Sequence, residues 1–188
     1  LKPLHDTFCV KHINVCTYQA VSGSGKDGVE ELLQQSSAYI DQRSIDKKVY
    51  PKQIAFNSIP FVDCFLENNY TREEMKMVWE THKILDENIS VNPTAVRVPV
   101  LVGHAESIYI ETEKEIDIEL AKNCLNEFAG ISVIDDIQEI DFPTSFEHGH
   151  GTDDVYVGRI RKGLSKNNTL NLWVVADNLL KGAALNSV

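Results

Sequence analysis

The stretch C-T-Y-Q-A-V-S-G-S-G-K-D-G, residues 16–28, decides how the chain is read. A strand-like run over 13–20 leads into it, with Ile13, Val15 and Thr17 alternating against Asn14 and Cys16. Residues 22–25 form a turn. A helix is predicted over 28–40, with Val29, Leu32, Leu33 and Ser36 at helical spacing. A glycine-rich turn with a lysine, between strand and helix, invites comparison with the phosphate loop G-x-x-x-x-G-K-[ST]. With Gly25-Lys26 as the G-K pair, the first glycine position holds Ala20 and the hydroxyl position holds Asp27. A carboxylate there repels phosphate, so the comparison fails at both functional positions. A strand-to-helix connection explains the turn.

The rest of the chain frames that unit. Its 188 residues suffice for one well-filled core. A formal net charge of -10 argues against a general nucleic-acid binder, which needs a basic surface to displace counterions, and leaves room only for a local basic pocket. No apolar run approaches the ~18 residues of a membrane span. The four cysteines, Cys9, Cys16, Cys64 and Cys124, form no C-x-x-C and read as reduced, mostly buried thiols of a cytoplasmic protein. Cys16 reads as a small core residue.

Thr71 and Glu74 make a capping box that opens a helix over 72–86. Its expected buried stripe is Met75, Val78, Trp79, His82 and Leu85. Strands are predicted over 94–102, 107–112, 131–134, 155–161 and 170–176, the last near the sheet centre. Val155, Val157 and Arg159 should share a face. A third helix spans 117–128, and a fourth begins at Asp177. Strands interleaved with long helices imply an α+β fold, a mixed sheet with helices on one face.

Six segments together resemble the aspartate-semialdehyde dehydrogenase family. They are T-Y-Q-A-V-S-G (17–23), I-A-F-N-S-I-P (54–60), E-E-M-K-M-V-W-E-T (73–81), R-V-P-V (97–100) with Gly103-His104, D-D-V-Y-V-G-R-I-R (153–161) and N-L-W-V-V-A-D-N-L (171–179). The resemblance implies a carboxy-terminal domain like that of the glyceraldehyde-3-phosphate dehydrogenase group, with residues 1–176 as the substrate-binding and dimerisation domain. Residues 177–188 would start a helix that packs on an amino-terminal cofactor domain with no counterpart here. The family's nucleophilic cysteine, in an Asn-Cys-Ser-Thr motif, lies just upstream of the segment that begins at Leu1, and none of the four cysteines matches it. The implied reaction is NADPH-dependent reductive dephosphorylation of L-aspartyl 4-phosphate to L-aspartate 4-semialdehyde and phosphate, by a homodimer. This chain alone is expected to be inactive, or, as the alternative, a dimerisation and ligand-binding module without catalysis.

The resemblance also assigns residues, and each has a plainer reading. His104 is the implied general acid/base; imidazole titrates near neutrality, but a loop histidine is commonplace. Arg97 is the implied carboxylate clamp, through two parallel hydrogen bonds; otherwise it is a sheet-edge cation. An odd separation from His104 puts the two on opposite faces of a straight strand, so a bend at Pro99 or Gly103 is required. Glu80 and Lys83 are implied to hold the substrate ammonium and phosphate; as an i,i+3 pair they are also an ordinary solvated ion pair. Gln19 is implied to position the substrate or thioester. Ser22, Gly23 and Asn178 are implied to face the nicotinamide end of NADP. The run Glu147-His148-Gly149-His150 with Asp153-Asp154 lacks a defined ligand geometry and reads as an exposed loop, and no metal is expected.

Overall fold

The computed structural model describes residues 1–181. The chain starts with a short helix, α1 (Lys2–Phe8), and runs straight into the long strand β1 (Val10–Gln19). A single 3-10 turn (Val21–Ser24) then leads into α2 (Gly25–Ile40). After a loop come α3 (Arg72–Ile84), β2 (Ser90–Arg97), β3 (His104–Thr112), α4 (Ile118–Asn126), β4 (Ile131–Val133), β5 (Val155–Lys162) and β6 (Thr169–Ala176). The described strands make one sheet in the order β2-β1-β3-β6-β5-β4. β1 pairs parallel with β2 and antiparallel with β3, so the sheet is mixed. The fold is α+β, as expected, and β6 lies in the sheet interior.

Alternation sorts the strand residues onto two faces. Ile13 and Val15 of β1, Ile108 and Ile110 of β3 and Leu170 and Leu172 of β6 lie side by side. Leu4 and Phe8 of α1 and Ala121 and Leu125 of α4 cover them in one buried cluster. The opposite face keeps Cys16, Tyr18, Tyr109, Asn171 and Trp173 half-exposed, with the Tyr18 and Trp173 rings 5.5 Å apart. Cys16 is therefore on the open sheet face rather than in the core, and all four free thiols are half-exposed rather than buried.

Two further expectations change. The α3 stripe is not buried: Trp79 is 51% exposed, and Glu74 is the helix's buried residue. The helix packs mainly on β2, the edge strand, and among the described residues no second layer covers its outer side. The capping box is present, and Glu74 also accepts from Ala95 N at 3.0 Å, tying α3 to β2. In β5 the register shifts between Gly158 and Arg161, with Arg159 at φ 54, so Ile160 takes the buried position instead of Arg159.

A smaller cluster of Val21, Leu32, Tyr50, Ile54, Ala55 and Ile59 seats α2 beside the sheet. Its loop is held by two buried side chains. Glu31 accepts from the amides of Lys48 (2.9 Å), Val49 and Tyr50, and Gln35 accepts from those of Ile54 (2.9 Å) and Ala55 (3.2 Å). Glu31→Ala strands three amides and should destabilise the fold by about 2–4 kcal/mol. Urea unfolding checks this, and an unchanged midpoint would contradict it.

Candidate active site

The site is assembled at the carboxy-terminal end of β1. Gln19 lies opposite Arg97 in the parallel pair β1–β2. On its other side the antiparallel register runs Thr17 to Glu106 and Tyr18 to Ala105, which brings His104 alongside Gln19. Arg97, Gln19 and His104 thus form one row across three adjacent strands. The outer two are about 10 Å apart at the backbone, two strand spacings. The segment 98–103 rounds the end of β1 to make this possible, with Val98 N bonded to Gln19 O, Val21 N to Val100 O and Ser22 N to Leu101 O. The required bend is a crossing from one neighbour strand to the next rather than a kink in one strand.

Gly23 shows how closely the side chains converge. A Cβ there would lie 2.8 Å from Arg97 Nη1 and 3.4 Å from both Nε2 and Cε1 of His104. Gly23 is exposed and Arg97 is buried, so the missing side chain leaves an opening backed by guanidinium and imidazole. The peptide of Ala20 serves both: its N–H donates to His104 Nδ1 at 3.1 Å and its carbonyl accepts from Arg97 Nη1 at 2.6 Å. Burial and the neighbouring Arg97 charge push the His104 pKa down to about 4. Burial also lowers that of Arg97. Among the described residues no carboxylate lies within 4 Å of the Arg97 guanidinium.

Asn178 joins the cluster from beyond β6. Its Oδ1 accepts from Gly103 N at 2.9 Å and its Nδ2 donates to Ser22 Oγ at 3.0 Å. Asp177, which the sequence reading assigned no role, is buried and accepts from the amides of Gly151, Leu179 and Leu180. Asp177 caps a turn over 178–179; residues 182–188, most of the helix expected from Asp177, lie outside the described residues.

Glu80 and Lys83 are not brought into this row. Glu80 lines a separate groove of about 380 Å³ with Met77, Ile84, Leu85, Glu106 and Leu1. Lys83 is exposed. The carboxylate at the site is Glu73, seven residues earlier and about 10 Å along the helix axis. Its Oε1 accepts from Gln19 Nε2 at 3.1 Å and its Oε2 pairs with Lys76 Nζ at 3.1 Å. Glu73 and Glu80 share a helix face, so periodicity does not separate them. A Glu-Lys pair at i,i+3 recurs at both places. What separates them is the capping box, which sets the first turn of α3 beside β2.

The histidine-rich loop is locally committed. His148 Nδ1 accepts from Thr144 N at 3.2 Å, and its ring packs tilted against Tyr156, with centroids 5.2 Å apart. Among the described residues no group of three or more His, Cys, Asp or Glu is placed to hold a metal ion.

Residues 1–181 match the family described as semialdehyde dehydrogenase, dimerisation domain. The aspartate-semialdehyde dehydrogenase of Shewanella violacea is 54% identical over the whole chain, which covers 55% of that protein. A crystal structure of aspartate semialdehyde dehydrogenase II from Vibrio cholerae, complexed with ASA, superposes with a TM-score of 0.96 at 48% identity, covering 100% of this chain and 55% of that one. A Candida albicans aspartate semialdehyde dehydrogenase solved with NADP shares the fold, with a TM-score of 0.68 at 24% identity over 98% of this chain and 50% of that one. The chain spans about half the length of the curated relatives it matches. Its sheet order, its row of Gln19, Arg97 and His104 and these matches place the chain in the semialdehyde dehydrogenase dimerisation-domain family, corresponding to the carboxy-terminal portion of aspartate-semialdehyde dehydrogenases.

Proposed function

We propose that this chain is the substrate-binding and dimerisation portion of an NADP-dependent aspartate-semialdehyde dehydrogenase. The reaction is reduction of L-aspartyl 4-phosphate to L-aspartate 4-semialdehyde with release of phosphate. The observation that carries the reading is the buried Arg97 guanidinium, which has no carboxylate within 4 Å among the described residues and backs an opening beside His104 and Gln19. A buried cation without a counter-ion is unfavourable unless an anion joins it. A carboxylate matches its fork through two parallel hydrogen bonds.

The other roles follow from position. Glu73, rather than Glu80, takes the substrate ammonium, and Lys76, rather than Lys83, takes the phosphate. Gln19 presents its amide between them and the row of donors. The nucleophilic thiol belongs to a segment ahead of Leu1 in the longer parent, since none of the four cysteines matches the family's nucleophile motif. Ser22, Gly23 and Asn178 suit the nicotinamide end of NADP: the glycine leaves space against Arg97 and His104, and the Ser22–Asn178 pair fixes an amide at its edge. NADPH, when bound, supplies the hydride. Residues 1–176 form the functional unit, and the helix from Asp177 meets the cofactor domain.

A second copy docks on the open sheet face, where Tyr18, Tyr109 and Trp173 are half-exposed; the family's description as a dimerisation domain supports this. The net charge of -10 speaks against nucleic acid as a partner. Among the described residues no helix is long and apolar enough to cross a membrane, and we place the enzyme in the cytoplasm.

The test uses the chain itself. It should bind L-aspartate 4-semialdehyde in a calorimetric titration yet give no NADP-dependent turnover. Glu73→Gln should weaken binding about tenfold or more, as loss of a charged hydrogen-bond partner does, and Glu80→Gln should leave it within about twofold. Turnover by the chain alone would refute the missing-nucleophile reading. Equal effects of the two substitutions would refute the choice of Glu73.

A further inference from the structure

Asp177 is a buried acid to which the proposed chemistry gives no task. It is 1% exposed, and among the described residues no cation lies within 4 Å of its carboxylate. Burial pushes its pKa up, but the amides of Leu180, Gly151 and Leu179 outweigh that and hold it below the usual carboxylate value. The group is therefore charged, and it commits both oxygens to backbone. Oδ1 accepts from Leu179 N at 2.7 Å and Leu180 N at 3.0 Å, which fixes the turn that carries Asn178. Oδ2 accepts from Gly151 N at 2.7 Å, which fixes the end of the loop 145–151.

Both tethered pieces close on Gly103, the residue before His104. Asn178 Oδ1 accepts from Gly103 N at 2.9 Å. From the loop, Gly149 meets Gly103 backbone to backbone. A Cβ on Gly149 would lie 2.9 Å from Gly103 Cα, and a Cβ on Gly103 would lie 2.7 Å from Gly149 O. Such an approach leaves no room for a side chain on either residue. The register adds a third constraint, because His104 pairs with Ala176, the neighbour of Asp177. We infer that Asp177 is a positioning residue for His104: its carboxylate ties the loop 145–151 and the Asn178 turn into a clamp on Gly103, and the clamp keeps the imidazole seated beside Arg97. This rests on the reading of Gln19, Arg97 and His104 as the reactive row.

A clamp and a nearby charge make opposite demands on the ring. Burial first, and then Arg97 on β2, lower the His104 pKa to about 4, while Glu73 on α3 and Asp177 itself act in the other direction. If Asp177 served only as a charge, neutralising it would lower the ring's pKa further, since a nearby anion favours imidazolium. If it holds the clamp, the same change frees Gly103, lets water reach the ring and raises the pKa toward the ordinary ~6.5. Asp177→Asn separates the two cases. It keeps the shape, removes the charge and leaves one acceptor oxygen where two are needed, so one tie is lost whichever way the amide is turned.

The test is a proton NMR titration of the His104 ring in this chain, with the Cε1 proton assigned by its disappearance in His104→Gln. With a pKa of about 4 the parent ring should stay neutral between roughly pH 5 and pH 8. In Asp177→Asn its midpoint should rise by about one unit or more, into that window. A ring that stays neutral across the window in Asp177→Asn overturns the proposal and leaves Asp177 as a charge or a local cap alone. Gly149→Ala is an independent arm. It keeps the carboxylate and its charge but pushes the loop off Gly103, so the ring should again titrate inside the window. An unshifted ring there overturns the clamp even if Asp177→Asn does not fold. Substrate binding enters neither arm. A chain that fails to bind L-aspartate 4-semialdehyde refutes the substrate reading, while the titration still decides the clamp.

Discussion

Arg97→Lys lowers the affinity of the chain for L-aspartate 4-semialdehyde by ~30-fold or more while leaving the fold intact, the scale expected when a two-pronged charge-assisted pair loses one of its hydrogen bonds. The substitution keeps the charge and removes the fork. One arm of the guanidinium is already committed, through Nη1, to Ala20 O at 2.6 Å. The remaining nitrogens are what a carboxylate can grip in parallel. An ammonium is a single point with three donors, and satisfying Ala20 O would pull it from the ligand. Calorimetry reads the affinity and circular dichroism the fold. An affinity within about twofold of the parent would show that charge alone suffices and that the paired geometry is irrelevant.

The largest effect on stability belongs to Gly103→Ala. Gly103 sits at φ +90, where a side chain is strained. An added Cβ would also lie 2.6 Å from Ser145 O, 2.7 Å from Gly149 O and 3.0 Å from Gly149 Cα, all backbone atoms that cannot rotate aside. Left-handed strain of about 1–2 kcal/mol and overpacking of about 1–3 kcal/mol give about 2–5 kcal/mol together. A melting temperature lower by on the order of 10 °C follows for a chain of this size. Gly25→Ala is the control: its φ is +78, but nothing lies within 4 Å of the added Cβ, so only the strain applies. If the two variants melt together, the contact between the Gly103 turn and the loop at Ser145 and Gly149 is not tight in solution.

The parts of this structure that were legible in the sequence are those fixed locally. The Thr71–Glu74 cap, the strand at 13–20 and the helix that follows the glycine turn each depend on neighbours within a few residues. The row of Gln19, Arg97 and His104 does not. It needs β1 to pair parallel with a strand more than seventy residues away and antiparallel with the next one, and no local pattern encodes that register. Sequence does not tell Glu73 from Glu80, because a seven-residue repeat puts both on one helix face; only the seating of α3 against β2 brings Glu73 to Gln19. Helical spacing points Trp79 at a core, since it reports a stripe without reporting whether anything covers it. The bulge at Arg159 moved Ile160 inward by one inserted residue, which alternation alone cannot foresee.

The single peptide shared by guanidinium and imidazole carries one more implication. Both side chains hang from the last hydrogen bonds of β1, so fraying at that strand end would release them simultaneously. Competence of this pocket should therefore be all-or-none, with no intermediate in which one of the two remains correctly aimed while the other swings free.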